Sequence, residues 1–294
     1  MRANFLPLAI FSLILFLNVT PSICQIESPS KIKDYSSLTE EIHILTFFVN
    51  TRDGRWEEET LETQFVELLK SQRWLQAEAK KWNQSLDFDN EYFFLDNKFV
   101  TYLDRKALKS NPRVILQKII NKLKFHSFQE YLKENEFDQI VRKLKVVIFI
   151  NNAHRRHVIT PWSTKEMDIV ILYRDPKSEK VTNQYEISHE LLHQFGAWDL
   201  YYKRGKNQTL ESGKEAEKRY PYSIMMKRYQ NKEMLNIDEV TAWRIGWNQW
   251  DESFNEFDPF LNQEKIKEEA IGIPISGKTN PSNSNKNKKE GNLH

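Results

Sequence analysis

Apolar positions along this chain recur with one period in some stretches and another elsewhere, and the changes mark the elements. Residues 41–50, EIHILTFFVN, are β-branched and aromatic and predict a strand. In residues 61–84, Phe65, Leu68, Leu69, Leu75, Ala79 and Trp82 recur near helical spacing, so this stretch predicts a long amphipathic helix. EYFFL at 91–95 reads as a second strand. Asn111 and Pro112 open another helix, with Asn as cap and Pro in the first turn; Ile115, Leu116, Ile119, Ile120 and Leu123 mark its buried face. Ser127 and Glu130 form a capping-box pattern for a third helix that runs to about Leu144. KVVIFI (145–150) and DIVILY (168–173) are short, continuous apolar runs, as in strands buried on both faces. Helical spacing returns in 183–196 and again in 236–247, where Asn236 and Glu239 form a capping pair and Val240, Trp243 and Trp247 share a face. No internal repeat is visible. The pattern is that of one α/β (α+β) domain.

Composition supports a packed domain and removes one class of function. Hydrophobic residues are 39% and aromatics 13% of 294, enough for a substantial core. Basic residues number 43 and acidic 41, a formal net charge of +2, with no basic stripe interleaved with aromatics. Nucleic-acid binding, which needs clustered positive charge, is set aside. The two ends differ from the middle. Arg2, an apolar run from Phe5 to Leu17 and small residues near Ser22 have the layout of an export signal, and the run is short for a transmembrane helix. Cys24, the sole cysteine, lies at the expected cleavage point; a lipid anchor there is disfavoured because Ile23 is bulky. After cleavage no disulfide could form, so stability would rest on the core and a metal.

The chemistry concentrates in SHELLHQFGAWDLYY, residues 188–202. Asn183 and Glu186 predict the start of a helix and Gly196 its stop. His189 and His193 stand one turn apart, so both imidazoles leave the same face, and neutral imidazole suits zinc. Glu190 follows the first histidine, where it can reach a metal-activated water as a general base without being a ligand. Catalytic zinc takes three protein ligands and an open position. Asp199, three residues past the glycine, is the preferred third ligand; Glu211, Glu215 and Glu217 are the alternatives. The bland reading of Leu191, Leu192 and Phe195 is the core face of any amphipathic helix. His154 and His157 form another pair, in a polar segment without a third partner, while His43, His126 and His294 have no companions in sequence.

Together with YSIMM at 222–226, these residues resemble the metzincin zinc peptidases, whose pattern is H-E-x-x-H-x-x-G-x-x-H/D followed by a methionine-containing turn. His189, Glu190, His193, Gly196 and Asp199 are in register, and Ser223–Met225 stands where the Met-turn belongs. The resemblance is specific over roughly 145–247. It implies a twisted mixed sheet, a long backing helix, an active-site helix, the Met-turn with Met225 as a hydrophobic floor, and a C-terminal helix. One zinc ion would be held by His189, His193 and Asp199, an aspartate third ligand as in the snapalysin-like branch. A peptide or protein substrate would lie extended along the strand near 168–173, taken as the sheet edge. Some members carry an oxyanion-stabilising tyrosine two residues after the turn methionine; here Lys227 occupies that place, leaving Tyr222 or Tyr229 as substitutes.

The expectation is therefore an exported zinc endopeptidase, secreted or periplasmic, with no stable membrane span after signal removal. Its segments would be a signal peptide (1–24), a loose N-terminal stretch (25–37), the peptidase domain (38–276) and a disordered tail (277–294). The rival is a secreted binding or adhesion protein whose zinc is not catalytic. Glu190 argues against it, since a structural zinc has no use for a base.

Overall fold

The computed structural model describes residues 37–51, 54–95, 112–140, 143–151, 159–163, 168–174, 180–226 and 231–271. The expected signal, Cys24, His154, His157, Lys227, Tyr229, His294 and the tail lie outside them. Strands β1 (Glu40–Asn50), β2 (Leu86–Leu95), β3 (Leu144–Asn151), β4 (Ile159–Ser163) and β5 (Asp168–Arg174) make one sheet in the order β2-β1-β3-β5-β4. The first four in that order run parallel and β4 runs antiparallel to β5. The chain is thus α/β, with a mixed sheet, as its pattern predicts.

Alternating side chains of the parallel strands feed two cores. Ile42, Ile44, Phe48, Val147, Phe149, Val170 and Leu172 face one side, and Leu45, Phe47, Val49, Val146, Ile148, Ile169 and Ile171 the other. Both faces are covered, which is why these strands read as unbroken apolar runs. Helices α2 (Pro112–Lys122) and α3 (Phe128–Glu134) cover the second face with Ile115, Leu116, Ile119, Tyr131 and Leu132. Helix α1 (Glu58–Lys81) backs the first through Leu68, Leu75 and Ala79. Against α1 packs α4 (Gln184–His193), burying Ile187, Leu191 and Leu192 in the same core. Among the described residues no helix is long and apolar enough to cross a membrane.

Several boundaries differ from those expected. Strand β2 starts at Leu86, not at 91, and pairs with β1 over Glu40–Val49. Its first half, LDFDN, looks polar because β2 is an outer strand of the sheet. Helix α1 starts at Glu58 and stops at Lys81; acidic Glu58 and Glu59 suit its positive end, Lys80 and Lys81 its negative end, and Asn83 (φ 56°) turns the chain away. Helix α3 does not reach Leu144. Ser127 caps it as expected, but it ends at Glu134, and Glu136 (φ 59°) breaks the path before β3. The strand near 168–173 is not an edge: β5 lies between β3 and β4, and the short β4 takes the outer place. Helices α5 (Leu210–Arg219) and α7 (Gln263–Ile271) have no counterpart in the apolar pattern. Helix α6 (Glu239–Arg244) is shorter than 236–247, and the Asn236–Glu239 capping pair does not cap it. Asp238 caps it instead, because the Asn236 backbone pairs with Tyr222 and Ile224.

One long-range clasp closes the domain. Leu38 N–H donates to the Ile245 carbonyl at 2.9 Å, and the Trp247 indole N–H donates to the Leu38 carbonyl at 2.5 Å. Between them Gly246 holds φ 84°, and a Cβ there would stand 2.1 Å from Ser37 Oγ, so glycine is required twice over. Leu38 itself is fully buried, which stabilises by about 1.5–3 kcal/mol.

Candidate metal centre

Helix α4 is locked at both ends before it presents any chemistry. Asn183 accepts from the backbone of Tyr185 and Glu186, and the Glu186 carboxylate accepts in return from the Asn183 N–H, a complete capping box. At the other end Gly196 (φ 93°) turns the chain, and Ala197 N–H reaches back to the Leu192 carbonyl at 3.2 Å. The next residues are fixed from outside: Leu200 N–H donates to the Met225 carbonyl at 3.2 Å, and the Gln208 amide donates to the Asp199 carbonyl at 3.0 Å. Gly196 therefore folds Asp199 back over the helix.

The imidazole rings of His189 and His193 stand 4.7 Å apart and perpendicular. Each is oriented by a backbone carbonyl, Ile224 O at 2.9 Å from His189 Nδ1 and Ala197 O at 2.8 Å from His193 Nδ1. A carbonyl only accepts, so Nδ1 carries the hydrogen on both rings, and in the neutral form each Nε2 is a lone pair. Those two Nε2 atoms lie 3.2 Å apart, and each is 3.2 Å from Asp199 Oδ1. Glu190 stands one step back, its Oε1 3.9 Å from His189 Nε2. Glu190 Oε2 and Asp199 Oδ1 are buried atoms without a hydrogen-bond partner.

Electrostatics follow from this crowding. Burial pushes the Glu190 carboxyl above its ordinary value, against the pull of both imidazoles. Burial would do the same to Asp199, but the charge of the neighbouring imidazoles overrules it and holds that carboxyl far below the carboxylate range. Burial opposes charging of His193, yet Asp199 and Glu190 together raise it to about 9. With both imidazoles neutral, three lone-pair atoms meet at one point, and a cation, whether a proton or a metal ion, is what such a point accommodates.

The donors fit zinc in kind and spacing. Ligand atoms of a tetrahedral ion with bonds of about 2.0 Å stand roughly 3.3 Å apart; the three observed separations are each 3.2 Å. The alternative third ligands are placed elsewhere, on α5: Glu211 and Glu217 are exposed, and Glu215 lies 3.7 Å from Lys218. His43 does have a companion, Asp89 at 2.7 Å across β1 and β2, which sequence spacing could not reveal.

The turn at Ser223–Met226 supplies the Ile224 carbonyl that orients His189. It is held by a buried carboxylate. Asp238 accepts from Ser223 Oγ at 2.5 Å, Thr241 Oγ1 at 2.6 Å and Thr241 N–H at 2.9 Å, and Ser223 Oγ in turn accepts from Met225 N–H at 3.0 Å. Asp238→Ala should cost roughly 2–4 kcal/mol in urea unfolding, the loss of a helix cap plus stranded buried hydroxyls. Met225 is fully buried and Met226 nearly so.

Of the oxyanion candidates, Tyr222 lines a separate cleft of about 580 Å³ with Glu78, Lys81 and Trp82, none of them a candidate ligand. The phenol nearest the site is Tyr201, half-buried and within the electrostatic influence of Asp199. Burial, then the charge of Asp199, keeps it protonated. Its signal in sequence is its place two residues after the candidate ligand Asp199, where the chain has just reversed.

No protein-family model matches the chain, and no curated protein matches it. Among solved structures it is similar, at 12% identity and a TM-score of 0.37, to a chain described as "Structure of a chaperone-substrate complex". The match covers 77% of this chain and 35% of that one, so the chain spans about a third of its length.

Proposed function

We propose that the chain is an exported zinc-dependent endopeptidase of the metzincin kind. The supporting observation is the meeting of His189 Nε2, His193 Nε2 and Asp199 Oδ1 at mutual distances of 3.2 Å, with the Glu190 carboxylate beside them. Zinc held by these three would supply Lewis acidity, acidifying a water and polarising the scissile carbonyl. The Ile224 and Ala197 carbonyls keep both imidazoles in the tautomer that offers Nε2. Glu190 takes a proton from the attacking water and returns it to the leaving amine; its raised pKa brings it nearer the operating range for both steps. Tyr201, protonated and set against Asp199, is the donor available to a developing oxyanion. A peptide would add as a strand to the outer edge of β4, the edge the sheet leaves beside β5.

Purified protein should carry one zinc per chain by elemental analysis and cut members of a diverse peptide library. Asp199→Ala should lose most of the zinc and the cleavage with it. Full zinc retention in that variant would remove Asp199 from the ligand set. Zinc without any cleavage in the wild type would favour the binding protein.

A further inference from the structure

We propose that Arg244 is a positioning residue for the metal, acting from outside the site on the stretch that joins His193 to Asp199. The inference rests on the zinc reading and deepens it. Arg244 Nε donates to the Gly196 carbonyl at 2.9 Å across 48 residues of chain. Its guanidinium lies 4.4 Å from the ring centre of Trp198 and 5.2 Å from that of Trp243. The two tryptophans meet edge-on at 5.5 Å, and Trp198 is 7% exposed.

The grip falls on the two residues that flank Ala197. Ala197 gives His193 the carbonyl that orients its ring, and Trp198 immediately precedes Asp199. One side chain therefore bears on the second-sphere partner of one ligand and on the approach of another. A cation at the end of α4 also suits the negative pole of that helix. Arginine is chosen by the geometry: its planar group can donate in its plane to Gly196 and stack flat on indole, which an ammonium cannot do. Without it, the buried Gly196 carbonyl loses this donor and Trp198 loses its stacking partner. The Ala197 carbonyl is then free to shift, and His193 no longer holds one tautomer.

The test compares the full-length wild type with Arg244→Met, which keeps the stem, Arg244→Lys, and a control, Leu116→Ala. Leu116 lies in the core on the opposite face of the sheet and is 3% exposed. Three quantities are read: zinc affinity by chelator competition, the visible spectrum of the cobalt-loaded protein, and the thermal midpoint. Removing a partner that bonds a ligand directly costs about 10–100-fold in metal affinity. Arg244 acts one step further out, so the expected loss is at the low end of that range. Arg244→Met should show that loss together with a shifted cobalt spectrum, and Arg244→Lys a smaller loss in the same direction. Leu116→Ala should melt earlier while keeping wild-type affinity and spectrum. Wild-type affinity and spectrum in Arg244→Met, or in Arg244→Lys should the methionine variant not fold, overturns the proposal. So does an equal loss of zinc in Leu116→Ala at matched stability, which would make Arg244 a merely structural residue. A wild type that binds no zinc overturns the zinc reading itself, an outcome the variants are not needed to see.

Discussion

Glu190→Gln should retain one zinc per chain and lose peptide cleavage by about 10²–10⁴-fold in kcat, the usual contribution of a positioned general base. The amide has the size of the carboxylate, so packing on α4 survives. Glu190 is not among the three atoms that meet at 3.2 Å; its nearer oxygen is 3.9 Å from His189 Nε2. Metal binding and chemistry should therefore separate. The change also exchanges a buried carboxylate for a neutral group, so stability should hold or rise slightly. Zinc content by elemental analysis and turnover of a cleaved library peptide decide it. A variant that keeps wild-type turnover would remove Glu190 from the chemistry.

Met225→Ala should destabilise by about 2–5 kcal/mol, because a fully buried side chain is replaced by a cavity. Met225→Leu nearly conserves volume and should cost below about 1.5 kcal/mol. The location makes this more than a core mutation. Met225 follows the Ile224 carbonyl that orients His189, and its own carbonyl accepts from Leu200, the residue after Asp199. A turn that relaxes into the cavity moves the supports of two candidate ligands, His189 and Asp199, together. Zinc should loosen in Met225→Ala and hold in Met225→Leu, with Met226→Ala affecting zinc less. Tight zinc in Met225→Ala would detach this turn from the metal.

The candidate site was legible because it depends on local rules. Two histidines four apart on a helix must share a face, a glycine at the helix end must reverse the chain, and Asp199 follows at a fixed offset. The central strands were legible too, since burial on both faces leaves continuous apolar runs. What the pattern concealed lies where tertiary contacts decide. Strand β4, ITPWS, is short, carries Pro161 at its centre and takes its place by pairing with β5. The first half of β2 alternates acidic residues with apolar ones, because it borders the sheet. Helix α5, LESGKEAEKR, buries little beyond Ser212, Gly213 and Ala216, and so lacks an apolar stripe. Asn236 resembled a helix cap, but its backbone was committed to the turn, and Asp238 took the role. Arg244 meets Gly196 and Trp198 only through folding, across 48 residues of chain.

The clasp between Leu38 and Ile245–Trp247 has a consequence in time. β1 must pair with β3 about a hundred positions later, and its leading end is latched by Trp247, 209 residues further along the chain. At synthesis rates of about 5–20 residues per second, the apolar EIHILTFFVN waits roughly ten to forty seconds for its last partner. Residues 245–247 thus complete the clasp at the start of β1. A chain stopped before Trp247 would have every ligand candidate and the whole sheet, yet lack the indole N–H that holds the Leu38 carbonyl.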